Sequence, residues 1–142
     1  MDLHIDDFYR DAALGLVNLY QAFPRKITLY LDDLVGILPR DEVGLPHPRQ
    51  LQCLSTLLWL ANEGYVRYES TIGYDAVDQI ELTRKGFIRL SSTQHPFSQG
   101  LEHLPPSVFR VQGSLVQQIR QHLRAQNSEA LIQVMQYFFS VA

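Results

Sequence analysis

The sequence has little of what many function classes require. A single cysteine, Cys53, excludes an intramolecular disulfide. The five histidines, His4, His47, His95, His103 and His122, include no pair four residues apart and have no second thiol to join, so no metal site is expected. Glycine-rich phosphate loops and serine–histidine–acid arrangements are also missing. Neither an enzyme nor a cofactor is therefore expected. No basic stretch leads into an apolar run, and no apolar run reaches the roughly 18–20 residues that span a bilayer. The expectation is a soluble cytoplasmic protein without a membrane partner.

Charge is sparse too, at 19% of 142 residues, and the net charge is −3. A strongly basic balance, the usual footprint of a nucleic-acid binder, is absent. The charge is unevenly spread. Up to Glu81 there are 13 acidic and 6 basic residues; from Leu82 onward there are 2 acidic and 6 basic. Any anion-binding surface should draw on the second half. Hydrophobic residues are plentiful at 46%, enough for a folded core.

Helical spacing of Ile5, Phe8, Ala12, Leu16, Tyr20 and their neighbours predicts a first helix over residues 5–23, capped by Asp6 or Asp7 and stopped at Pro24. Residues 26–30 read as a short strand and 32–38 as a short helix ending at Pro39. A loop over 40–47 leads to Pro48, which suits the first turn of a helix running to about Glu63. Gly64 supplies the helix C-terminal turn. Residues 65–70 and 79–82 alternate as strands around an eight-residue loop, and Thr83 caps a helix over 84–90. Residues 93–106 read as a connection without regular structure. One helix is expected over 107–125 and another over 129–141, with Ser128 as its N-cap. The reading is mainly α with a small β-hairpin, divided into a domain over 1–92, the connection, and a helical extension over 107–142.

That element order is a winged helix-turn-helix arrangement, with the hairpin as the wing. The run Leu57-x-x-Leu60-x-x-x-Gly64-Tyr65-Val66-x-Tyr68, followed by Ile80-x-Leu82-Thr83-x-Lys85-Gly86, resembles the wing region of MarR- and PadR-type transcription regulators. The pattern makes physical sense. Leu57 and Leu60 seat the helix, Gly64 turns the chain, and Val66 and Leu82 pair inward across the hairpin. The resemblance implies a homodimer that binds double-stranded DNA and regulates transcription. Arg49, Gln50, Gln52, Ser55 and Thr56 would face base edges in the major groove. Arg67, Arg84, Lys85 and Arg89 would neutralise phosphates.

Three features depart from what DNA binding asks for. The wing carries Glu69, Asp75 and Asp78 and, between Tyr68 and Asp78, no lysine or arginine. About nine residues, from Pro39 to His47, separate the second and third helices, where a DNA-reading turn has about 3–4. The presumed reading helix has one arginine. An adaptor or complex subunit built on the same fold is the alternative. The last helix is apolar on nearly all sides, so it must be covered on nearly all sides. Leu131, Val134, Met135, Phe138 and Phe139 are expected at a dimer interface, unless the helix folds back on the first.

Overall fold

The computed structural model describes residues 2–141. It is mainly helical with a small antiparallel sheet. The first helix, α1 (Leu3–Ala22), is the element on which the rest is assembled: α3 (Pro48–Asn62), α6 (Leu115–Ala125), α7 (Ser128–Ser140) and the sheet all pack against it. Its inner side is lined by small residues as well as leucines. Ala12, Ala13, Leu16 and Leu19 are buried, and Gly15 lets α3 come close: a Cβ there would stand 2.8 Å from Leu57 Cδ2. Burying each such leucine stabilises by about 1.5–3 kcal/mol before entropy is counted. The helix starts earlier than expected, after Asp2, so Asp6 falls in its first turn rather than at its cap.

After β1 (Ile27–Tyr30), α2 (Asp32–Val35) lasts one turn. It stops short of Leu38 because Gly36 takes φ +80° and returns its amide to Asp32 O. Pro48 opens α3 as expected, with His47 Nδ1 accepting from the Arg49 amide. Gly64, at φ +83°, turns the chain out of it.

The hairpin is longer than expected. Residues 65–70 form two short strands, β2 (Val66–Arg67) and β3 (Ser70–Ile72), and β4 (Ala76–Leu82) runs back along both. The eight-residue loop thus contracts to residues 73–75, closed by the Asp75 amide donating to Ile72 O. The sheet order is β1-β4-β2, with β3 also on β4. Between the pairs Ile27–Ile80 and Leu29–Val77, β4 carries one extra residue, and Gln79 takes φ +52° there. This bulge keeps both Val77 and Ile80 buried, which strict alternation would forbid. Val66 pairs with Leu82 as expected, both buried.

Thr83 Oγ1 accepts from the Gly86 amide and caps α4 (Arg84–Ser91). The connection is not structureless: Pro96–Ser98 forms a 3-10 turn, because His95 Nδ1 accepts from the Phe97 amide while its Nε2 lies 2.7 Å from Gly113 O. Residues 107–125 form two helices, not one. Gly113 ends α5 (Pro106–Gln112), and Ser114 starts α6 by accepting the Gln117 amide. Asn127, rather than Ser128, caps α7.

The core is continuous from α1 to α7. Leu115, Ile119, Val134, Met135 and Phe138 belong to the same buried cluster as Leu16, Leu57 and Ile80. Among the described residues no helix is long and apolar enough to cross a membrane.

Candidate interaction surface

The polar side chains of α3 are held by their own chain. Arg49 forms two hydrogen bonds of 2.6 Å with the carboxylate of Asp11, which is fully buried, and its Nε lies 3.6 Å from Asp7. The Asp11 hydrogen bonds raise the guanidinium's pKa further. Gln50 is 4% exposed and donates to Tyr74 O at the hairpin tip. Gln52 donates to His4 O, and the buried Thr56 hydroxyl donates to Gln52 O. Of the five residues expected at base edges, Ser55 alone is both exposed and without a side-chain bond among the described residues. The expectation needs correcting on this point. A helical wheel shows which side of a helix is polar, and here α1 and the hairpin cover most of that side.

Next to this network lies Cys53, fully buried. Burial, followed by the charge of Asp11, pushes its thiol up to about 12, so at neutral pH it is an inert thiol.

What α3 does present to solvent is uncharged. Leu51, Ser55, Trp59 and Asn62 follow one another along its exposed side. Trp59 packs edge-on against Phe8 and Phe139. Beside the N-terminal end of α3, a cleft of about 650 Å³ is lined mainly by Pro39, Leu45, Pro46, Pro48, Leu51 and Tyr74. The α2–α3 loop adds Ile37 and Val43, which are 87% and 79% exposed, and the hairpin tip adds Ile72 and Tyr74. This apolar loop was missed as part of a site. Its signal was Val43 and Leu45, two large apolar residues outside every expected helix and strand.

Several charges around this face are paired, whereas Asp41 and Glu42 in the α2–α3 loop make no ion pair among the described residues. Arg40 bonds Asp75 at its edge. Arg67 donates to Glu81, 2.9 Å away, and Lys26 lies 3.6 Å from Glu69. The Thr28 hydroxyl donates to Asp78 at 2.6 Å. The remaining expected phosphate ligands lie elsewhere. Lys85 donates to Glu63 O, past the C-terminal end of α3, whereas Arg49 stands at its N-terminal end. The 15-residue helix puts about 20 Å between those ends. Arg84, Lys85 and Arg89 make no ion pair among the described residues. Arg49, Arg67 and Lys85 therefore do not form one cationic face.

The expected dimer contacts are also largely used within the chain. Leu131, Val134, Met135 and Phe138 are buried in the single chain, because α7 packs on α1 and α6. Phe139 is partly covered by Phe8, Tyr9, Trp59 and Tyr65. The apolar girth of α7 does not itself call for a second copy. Among the described residues no three histidine, cysteine, aspartate or glutamate side chains are placed to share a metal ion.

Comparison with protein-family models, with curated proteins and with solved structures finds no match to this chain.

Proposed function

We propose that the chain is a winged-helix module that binds another protein, through the exposed side of α3, the α2–α3 loop and the hairpin tip. The element order and the β1-β4-β2 sheet support the winged-helix reading. One observation carries the choice of partner: the helix placed to enter a major groove has Arg49 as its only charge, and that charge is committed to a buried carboxylate. Releasing Arg49 to a base would strand Asp11 in the core, and breaking such a pair costs about 3–5 kcal/mol. A specific contact to one base is worth about 1–3 kcal/mol. The exchange does not favour DNA. An apolar protein segment asks for no such release; it covers Leu51, Leu45 and Tyr74, which water now touches.

Transcription regulation by DNA binding is the second reading. It draws on Arg84, Lys85 and Arg89, cations that follow the hairpin and have no acid partner among the described residues. A photoreactive benzophenone side chain placed at Leu51, in the cell, separates the two. Protein adducts from Leu51, and none from the same group at the exposed Arg110, are the expected outcome. Nucleic-acid adducts from Leu51, or adducts no different from those at Arg110, would overturn the protein-binding reading.

A further inference from the structure

A second cleft lies away from the α3 face. It holds about 720 Å³ between α4, the start of α6 and the end of α7. Its apolar surface comes from Ile88, Tyr137 and Val141, with the buried Leu115 and Phe138 beneath them, and one side carries Arg84, Lys85 and Arg89. Among the described residues no acidic side chain lines it. The volume lies within the range of small-molecule sites, about 300–1,000 Å³.

The three cations have donors to spare. Arg89 uses Nη1 on the Tyr65 hydroxyl, at 2.9 Å, and on Phe138 O, at 3.1 Å. Those two bonds fix the guanidinium plane and leave Nε and Nη2 without a hydrogen-bond partner among the described residues. Lys85 spends one donor on Glu63 O and stands 4.4 Å from the centre of the Tyr65 ring. Arg84 makes no side-chain hydrogen bond or ion pair among the described residues and sits in the first turn of α4, where the helix dipole adds to its charge. Elsewhere on the chain Lys26, Arg40, Arg49 and Arg67 each have a carboxylate within 4 Å. Here three cations share one apolar cleft, with no carboxylate side chain among the described residues that line it.

We infer that this cleft binds a small amphipathic carboxylate, an organic acid with an aliphatic or aromatic body. The carboxylate is the missing partner of the cations, and a fixed guanidinium fork suits its two oxygens. The body covers Ile88, Tyr137 and Val141. An inorganic anion satisfies the charges and leaves the apolar lining wet; a neutral hydrocarbon does the reverse. The inference does not depend on what the α3 face binds.

The test is titration of the full-length protein with octanoate and 3-phenylpropionate, followed by calorimetry and by methyl NMR of Ile88 and Leu115. The comparison ligands are octanamide, acetate and inorganic phosphate. Saturable binding of at least one of the two acids is expected, with those methyls shifted. Octanamide, acetate and phosphate should each bind at least tenfold more weakly. The double variant Arg84→Gln/Lys85→Gln, whose side chains are exposed, should weaken the acid at least tenfold with an unchanged melting temperature. Arg89→Lys keeps the charge and loses the fork, and should weaken it as well. No saturable binding of either acid overturns the inference, as does octanamide binding equal to octanoate, or shifts confined to methyls outside the cleft.

Discussion

The two ends of α3 handle charge in opposite ways. At its N-terminal end, Arg49 is bonded to Asp11 and Arg40 to Asp75, and the surface beside them is mainly proline, leucine and tyrosine, with Asp41 and His47. Past its C-terminal end, Arg84, Lys85 and Arg89 stand around an apolar cleft with no carboxylate side chain among the described residues. A count of basic residues makes both ends candidates for anions. The pairing leaves only the second. Available charge, rather than charge, decides which surface attracts phosphate or carboxylate.

The comparison breaks most sharply at Asp11. Asp11→Ala leaves Arg49 partly buried without its carboxylate and should cost about 3–5 kcal/mol in denaturant unfolding. Asp11→Leu with Arg49→Met removes both charges at once and should recover most of that loss. A double variant as unstable as Asp11→Ala would mean that the pair is more than a charge satisfied in place. Gln50→Ala should cost less, about 0.5–1.5 kcal/mol, by cutting the bond to Tyr74 O. Faster amide exchange at residues 73–75 should accompany it, and unchanged exchange there would deny that Gln50 holds the hairpin tip. Arg67→Ala should cost least, under about 1 kcal/mol, since the arginine side chain is 67% exposed and solvent screens its pair with Glu81. A larger loss on unfolding would mark that pair as part of the core.

Local features were legible in the sequence. Pro48 and Gly64 frame α3, Thr83 caps α4, and the Val66–Leu82 pair closes the hairpin, each through residues that meet near neighbours or one facing strand. Non-local features were not. Arg49 meets Asp11 38 residues away, and no helical period announces that bond. The bulge at Gln79 arises from pairing with β1, which lies before α2 and α3 in the chain. The break at Gly113 was hidden because Val108, Val111, Leu115 and Ile119 keep helical spacing across it, whereas the Ser114 cap acts through a backbone bond. For α7 the apolar girth was plain, but whether α1 or a second copy covers it is a matter of where the chain returns. The site divides in the same way. The polar residues of α3 were found; what already holds them was not.

The most direct measurement is recovery of random-sequence duplex DNA on the purified protein at low and at moderate salt, with the mass of the complex taken in solution. The account predicts no enriched sequence at either salt, and any weak retention at low salt should vanish in Arg84→Gln/Lys85→Gln and persist in Leu51→Asp. An enriched sequence that Arg49→Ala abolishes, with the fold intact, would contradict it: α3 would then read bases, and the Asp11 pair would open to let it.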